Sequence, residues 1–434
     1  RLKHLPDIWS GAHSGVVNNE VKMQSAGTLH GQLQRGLGRA ARRAADRPGA
    51  GEYVYDCIRR DPRWDPQCEA RSLYYARLMV DLELPVRPVA EHLFDPADQG
   101  EGDERRVLLA LRVLTDLARL SRREAAGVLR RYAEEGTHWL DAVEALIELG
   151  DPGPAAGMEA LVDARCDDAT LNLLIMGPSN PVIESWAARR PRIADALSRV
   201  REKGRLRRTG TGSGATDRSR RSEDELLELA RRRDDAAVGA IFELGRRRAP
   251  GLLDLAEELL PQRPSRWGGA VCRALREYGP EALPRARAWA STRGGCADMG
   301  LVILARYGTR QDIPLLMTEL HDALERRDWG DAAGPIEGLG RLRAGEAVPL
   351  LKSAWTESTY AFLRPRVLTA LTRTAPHTAE SYTIEGLWDC EEGVRQVASQ
   401  TAPLTRETRI RLQRLHHDEA EEPGVRAAAA SRLM

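Results

Sequence analysis

Ala270-Val-Cys-Arg-Ala-Leu-Arg-Glu-Tyr278-Gly279 reads as an apolar helix that ends in a hinge glycine, and Pro280-Glu-Ala-Leu-Pro284 opens a second helix. The same phrase returns as Leu301-Val-Ile-Leu-Ala-Arg-Tyr307-Gly308, followed by Thr309-Arg-Gln-Asp-Ile-Pro314. A third copy covers residues 336–351, where the hinge glycine is missing near Arg343. An apolar helix, a hinge and a second apolar helix therefore recur as one unit.

The spacing of this unit decides the fold class. Pro284 and Pro314 are 30 residues apart, and Pro314 and Pro349 are 35 residues apart. A two-helix unit of this size buries its apolar face only by stacking on its neighbours. We therefore predict an all-α protein, a right-handed α-solenoid of stacked antiparallel helix pairs, with a short irregular arm at its N-terminus.

Changes in composition divide the predicted solenoid. Residues 1–50 contain many glycines and form the irregular arm, whereas helical periodicity begins in residues 51–202, the N-terminal block. Residues 203–222 lose all apolar periodicity and are rich in glycine, serine and arginine, which is typical of a linker. Residues 223–434 hold the cleaner copies and form the C-terminal block.

A second signature appears in the last copies of the repeat. Glu391-Glu-Gly-Val394-Arg395 and Glu421-Glu-Pro-Gly-Val425-Arg426 each place an acidic turn and Val-Arg before an alanine-containing helix, 31 residues apart. With the hinge, this pattern resembles the HEAT repeat, in particular the short variety found in bilin-lyase-like proteins. The resemblance spans residues 104–434 without the linker. It implies a fold and a binding surface, but no particular activity.

Bulk composition excludes several classes of protein. The 65 basic and 64 acidic residues nearly cancel, so no global field indicates a nucleic-acid-binding or membrane protein. Almost all the basic residues are arginine, which is typical of a GC-rich, for example actinobacterial, genome. The six cysteines form no Cys-x-x-Cys pair, and no apolar run is long enough to span a membrane. We therefore expect a cytoplasmic protein with reduced thiols.

Motifs for catalysis, cofactors and metals are missing from the sequence. The glycines at 210, 212 and 214 lie in the linker and lack the lysine of a phosphate-binding loop. His416 and His417 are adjacent, so their rings point apart on a helix. No Gly-x-Ser-x-Gly motif occurs. We expect no catalytic residue, no cofactor and no metal, and we favour a protein that is not an enzyme.

Two groups of residues are candidates for binding. The linker is the most strongly basic segment and could contact an anionic partner. Its arginines are Arg205, Arg207, Arg208, Arg218, Arg220 and Arg221. Tryptophans that recur through the C-terminal block could line a peptide-binding groove, although we favour packing of these side chains between the helices. These are Trp267, Trp289, Trp329 and Trp355.

The favoured hypothesis for function is a scaffold or regulatory module that binds a protein partner along an extended solenoid surface. One alternative is a nucleic-acid-binding protein similar to the HEAT-like DNA glycosylases. The other is a sensor or adaptor of a bacterial defence system, because residues 15–31 resemble a Gly- and Val-containing stretch that precedes effector domains in some actinobacterial defence proteins. The sequence does not determine the oligomeric state.

Overall fold

The computed structural model describes residues 21–98, 104–209, 220–262, 265–292 and 294–434. Within these ranges the chain forms 26 α-helices and short 3₁₀ turns, and it forms no strand. The prediction of an all-α fold is confirmed. Among the described helices, none provides an apolar stretch of the length that a lipid bilayer demands.

Twelve of the described helices begin before the predicted linker. They are α1 (Leu29–Arg35), α2 (Gly38–Ala44), α3 (Ala50–Arg60), α4 (Ser72–Asp81), α5 (Arg87–Phe94), α6 (Glu104–Arg119), α7 (Arg123–Glu135), α8 (Trp139–Leu149), α9 (Met158–Arg165), α10 (Asp168–Leu174), α11 (Pro181–Ala187) and α12 (Pro191–Thr209).

Fourteen helices follow the predicted linker. They are α13 (Glu223–Arg231), α14 (Asp235–Arg247), α15 (Gly251–Leu259), α16 (Arg266–Arg276), α17 (Leu283–Ser291), α18 (Ala297–Tyr307), α19 (Ile313–Arg326), α20 (Trp329–Leu342), α21 (Val348–Glu357), α22 (Arg364–Thr374), α23 (Pro376–Gly386), α24 (Glu392–Thr401), α25 (Arg406–His417) and α26 (Pro423–Leu433).

The helices after residue 222 pack in a regular order. Each even-numbered helix from α14 to α26 packs on the odd-numbered helix before it and on the next even-numbered helix. We call α14, α16, α18, α20, α22, α24 and α26 the even row. Contacts within the odd-numbered row are sparser. This order is compatible with a helical repeat, in which each pair buries its apolar faces against its neighbours.

The copies of the repeated motif around Tyr278 and Tyr307 form the same hydrogen bond between neighbouring helices. The hydroxyl of Tyr278 donates to the carbonyl of Arg248 at 2.8 Å, and that of Tyr307 donates to the carbonyl of Arg276 at 3.3 Å. Each hinge tyrosine thus ties the end of its helix to the end of the preceding member of the even row. Pro284 and Pro314 lie in the first turns of α17 and α19, where a missing N–H costs little.

Buried apolar side chains form two clusters. One extends from Leu226 to Ala429, along the helices that follow the predicted linker. The other extends from Leu33 to Leu197 and also includes Ala361 and Cys390. The C-terminal part of the chain therefore contributes to the core of the N-terminal part, and the two parts meet directly.

The seam is the name we give to the contact between helices α1–α4 and residues 357–421. At its centre, the amide of Cys390 donates to the carbonyl of Gly36 at 3.0 Å. The fully buried guanidinium of Arg71 donates to Glu69 and to the carbonyl of Thr359, both at 2.6 Å. The amide of Ala361 completes this group by donating to Glu69 at 2.7 Å.

Paired charges continue along the seam. Arg395 donates twice to Glu421, at 2.7 and 2.8 Å, and Arg77 from α4 contacts the same carboxylate at 3.1 Å. Burial alone would raise the pKa of Glu421, but the charges of Arg395 and Arg77 lower it to about 2. Such charge-assisted pairs are costly to break on one side, because the remaining charge is left buried.

Two segments differ from the simplest interpretation of the sequence. Helices α1 and α2 lie where the glycines suggested an irregular arm, and their burial against the seam explains why they form despite this composition. Residues 203–209 of the predicted linker belong to α12, whereas residues 210–219 lie outside the described ranges. The proposed domain boundaries stay a prediction.

The hinge without glycine gives a test of stability. Arg343 follows α20 with a φ of 53°, a left-handed conformation that disfavours side chains. Replacing Arg343 by Gly removes this strain, although the greater flexibility of glycine in the unfolded chain offsets part of the benefit. We expect the free energy of unfolding, measured by chemical denaturation, to rise by up to about 1 kcal/mol. Arg343→Ala keeps the strain and should not stabilise. An equal gain in both variants would contradict this explanation.

The close approach at the seam gives a second test. A β-carbon added at Gly38 would lie 2.0 Å from the carbonyl oxygen of Glu385, so Gly38→Ala must push α2 away from α23. We expect a loss of at least roughly 2 kcal/mol, measured by denaturation. Gly127 on α7 has open space around it, and Gly127→Ala should instead stabilise by about 0.5–1 kcal/mol. A neutral Gly38→Ala variant would show that the seam is not tightly packed.

Candidate binding groove

Small residues bring neighbouring helices of the even row close together. A β-carbon at Gly340 would lie 2.7 Å from the Cα of Ala370, and one at Gly338 would lie 2.8 Å from the Cα of Ala305. The first contact joins α20 to α22, and the second joins the C-terminal parts of α20 and α18. Arg341 also donates to the carbonyl of Ala305 at 2.9 Å. The ends of α18 and α20 therefore coincide, and these helices run side by side in the same direction.

A groove of about 1070 Å³ lies along these helices. The even-row helices α18, α20, α22 and α24 form most of its wall, and the second half of α19 closes one side. Small and apolar side chains form the floor, and charged side chains rise around it. The floor includes Ala297, Leu301, Val302, Ala333, Gly334, Pro335, Gly340 and Ala370.

Charges in the groove follow the direction of the helices. The first turns of α18 and α20 carry Asp298 and Asp331. The last turns of α18, α20 and α22 carry Arg306, Arg341 and Arg373. Carboxylates at helix N-termini and cations at C-termini are favoured by the helix dipole. Because α18 and α20 are aligned, we expect their carboxylates along one rim of the groove and their arginines along the other, whereas the first turn of α22 carries Arg366 instead of a carboxylate.

Among the described residues, the lining of the groove contains six arginines and seven acidic residues, so these residues give it no excess of positive charge. Many of these charges are already used within the protein. Arg306 pairs with Glu277 at 3.0 Å, and Arg366 pairs with Glu337 at 2.6 Å. Within the described ranges no ion pair engages three other lining residues, which are Arg373, Glu319 and Asp322. These three can meet charges on a ligand without breaking an internal pair.

Two carboxyl groups of the groove have raised pKa values. Desolvation in the concave wall, together with the negative charges of Asp328 and Asp298, raises the pKa of Asp331 to about 6. Glu391, at the start of α24, is almost fully buried; its burial and the neighbouring Glu392 raise its pKa to about 7. Both groups therefore change their charge near neutral pH.

The tryptophans predicted for a groove lie elsewhere. Trp355 is fully buried and donates to Glu385 at 3.3 Å. Trp329 donates to Thr359 at 2.8 Å, and Trp289 donates to Glu257 at 2.7 Å, with 3% and 5% of each residue exposed. Trp267 is half-buried and does not line the groove. Of the two interpretations given for the tryptophans, their positions favour packing in the core.

The arginines of the predicted linker are dispersed. Arg205, Arg207 and Arg208 belong to α12, where Arg205 is exposed and pairs with Glu202 at 2.8 Å. The side chains of Arg207 and Arg208, and the whole of Arg218, lie outside the described parts of the structure. Arg220 is exposed, and Arg221 uses its carbonyl to accept from Arg247 at 2.6 Å. The described members contribute nothing to the groove.

Sequence reasoning missed the residues that line the groove. They occupy stripes such as Asp298, Leu301, Val302 and Ala305 on α18, at the spacing of a single helix face. A second signal was the arginine near the end of successive even-row helices, as at Arg306. Both signals are visible in the sequence only after the copies of the repeat are aligned and the even row is known.

Metal-ligand groups and thiols are two kinds of reactive group that the described part of the chain could supply. No group of three or more His, Cys, Asp or Glu residues in those ranges is arranged to hold a metal ion. Five of the six cysteines are buried, and burial raises the pKa of Cys57 and Cys390 to about 12, which suppresses thiolate chemistry. The groove therefore offers surface, hydrogen bonds and charge.

No family model matches this chain, and neither does any curated protein.

The carboxyl group of Asp331 makes a pH-dependent prediction. Because its pKa rises from 3.8 to about 6 on folding, the folded state binds more protons between these values, and stability falls as the pH increases through this window. Asp331→Asn should therefore raise the melting temperature at pH 7.5. The gain in the free energy of unfolding should be less than about 1 kcal/mol, since the side chain is half exposed. At pH 4 the two proteins should melt together. A constant difference at both pH values would contradict a raised pKa.

Proposed function

We propose that this protein is a non-enzymatic scaffold that holds a segment of a partner polypeptide in the groove between α18 and α24. The observation that carries the proposal is the balanced charge of the lining, six arginines against seven acidic residues, over a floor of small and apolar side chains. A polypeptide can present both signs of charge to the two rims. It can also place its own apolar side chains on the floor.

The size and shape of the groove support a polypeptide ligand. Its volume of about 1070 Å³ lies at or above the upper end of the roughly 300–1,000 Å³ of small-molecule sites. Small floor residues such as Ala333 and Gly334 allow a bound segment to approach closely. Arg373 and Glu319 provide charges on the wall that are not engaged in ion pairs in the described structure. Affinity would then build up over several repeats.

The architecture that we propose for this surface is a right-handed, HEAT-like α-solenoid of antiparallel helix pairs. The closer packing of the even row than of the odd row supports a curved array with the groove on its concave side. We further propose a reducing, cytoplasmic setting, supported by six cysteines that are all free thiols.

The two alternatives have less support. A nucleic acid would bring its phosphates against Asp298, Asp331 and the other carboxylates of the groove, which would repel them. The defence-adaptor hypothesis depends on residues 15–31, of which residues 15–20 lie outside the described ranges. No feature of the groove favours it.

Selection from a peptide-display library tests the proposal. We expect the enriched peptides to carry both acidic and basic side chains and to bind the full-length protein with saturation. Arg373→Glu reverses one charge of the basic rim and should weaken binding by about tenfold or more, because it turns an attraction into a repulsion.

Arg409→Glu is the matched control, since it makes the same charge change on an exposed part of α25 away from the groove. It should leave peptide binding unchanged. Equal losses in both variants, or enrichment of no peptide, would overturn the proposal. Saturable, salt-dependent retention of a short DNA duplex that Arg373→Glu abolishes would favour the nucleic-acid alternative instead.

A further inference from the structure

A second cavity, of about 500 Å³, opens at the seam between α2, α4 and α25. We call it the seam cavity. Apolar side chains of α2 and α4 form one wall, and Trp388 forms another. Arginines from both sides of the seam surround the opening. The charged lining residues are Arg39, Arg42, Arg43, Arg414, Asp81 and Glu407.

Two of these arginines have no carboxylate partner. Arg39 pairs with Glu385 at 2.9 Å, and Arg42 pairs with Glu407 at 2.7 Å. Arg43 and Arg414 are exposed and form no ion pair with any residue that the structure describes. Arg43 lies on α2 and Arg414 on α25, so the excess positive charge comes from both sides of the seam.

Arg411 adds a third positive charge beside the cavity wall. Its guanidinium carbon lies 5.2 Å from the ring centroid of Trp388, and its Nε donates to the carbonyl of Leu387 at 3.1 Å. Burial and the nearby charges of Arg77 and Arg395 lower the pKa of Arg411 to about 9, since Glu421 and Asp81 offset them only in part. Arg411 is half-buried, and a cation partly removed from water without full compensation is costly, so an anion placed nearby would relieve that cost.

We propose that the seam cavity binds a phosphomonoester dianion, with Arg43 and Arg414 as its direct ligands. Guanidinium groups match the geometry of phosphate oxygens and bind them through paired hydrogen bonds. The cavity volume is that of a small-molecule site. Leu78, Leu82 and Trp388 provide an apolar wall for the organic group of the ester.

The position of this cavity gives the ligand a structural effect. Its two arginine ligands belong to segments more than 360 residues apart in the chain, and the pair of Arg42 and Glu407 already links α2 to α25 at the opening. A dianion held by Arg43 and Arg414 would add a second link and hold α2 against α25. Binding should therefore stabilise the folded protein.

Calorimetric titration of the full-length protein with phenyl phosphate, at constant ionic strength, tests the proposal. We expect saturable binding in the titration. In separate thermal melts, the melting temperature of the protein should rise with the concentration of phenyl phosphate. The double variant Arg43→Ala/Arg414→Ala should bind at least about tenfold more weakly, because both guanidinium ligands are lost. Both side chains are exposed, so this variant should fold.

The control variant is Arg47→Ala/Arg409→Ala, which removes the same charge from exposed positions close to the same two helices. It should bind phenyl phosphate as the unaltered protein does. A phosphotyrosine peptide distinguishes the source of the phosphate. If the protein binds this peptide more tightly than phenyl phosphate, the natural ligand is a phosphorylated protein. If it binds the peptide equally or more weakly, the natural ligand is a free phosphate ester. Absence of saturable binding to both probes, or equal losses in the two variants, would overturn the proposal.

Discussion

The seam depends on arginines that are buried together with their carboxylate partners. Arg71, Arg364 and Arg395 are each less than 4% exposed, and each shares charge-assisted hydrogen bonds with a carboxylate in the seam. Removing one partner would leave the other charge buried. The same groups also reach across the seam, because Arg71 donates to the carbonyl of Thr359, Arg364 donates to the carbonyl of Gly36, and Arg77 pairs with Glu421. Helices α22 and α24 connect the two regions, since they line the groove and also carry Arg364 and Arg395 of the seam.

Local signals in the sequence predicted the helices whose partners are near in the chain. The hinge tyrosines Tyr278 and Tyr307, with the prolines that follow them, indicated helix pairs, and the structure has helices there. Helices α1 and α2 could not be predicted in this way. Gly36 and Gly38 are read locally as helix breakers, yet they allow the backbone to reach Cys390 and Glu385, which lie about 350 residues later.

The groove was harder to predict than the fold, because a side chain at helical spacing faces either a neighbour or solvent. The sequence positions of Trp355 and Trp289 are compatible with a groove and with a core. Only the hydrogen-bond partners of their indole N–H groups in the structure distinguish these two interpretations. The groove arginines were likewise indistinguishable from other arginines of a biased composition. Arg341 and Arg373 can be recognised as residues of the groove only when the structure shows that α18, α20 and α22 end side by side.

The hydrogen bond between the Cys390 amide and the Gly36 carbonyl also affects how the protein is made. A ribosome that adds about 5–20 residues per second needs roughly 20 to 70 seconds to proceed from Gly36 to Cys390. During that time the surface of α1 and α2 that packs on Glu385 and Cys390 has no partner. The seam can therefore close only after Cys390 has been synthesised, and until then this surface of α1 and α2 stays exposed.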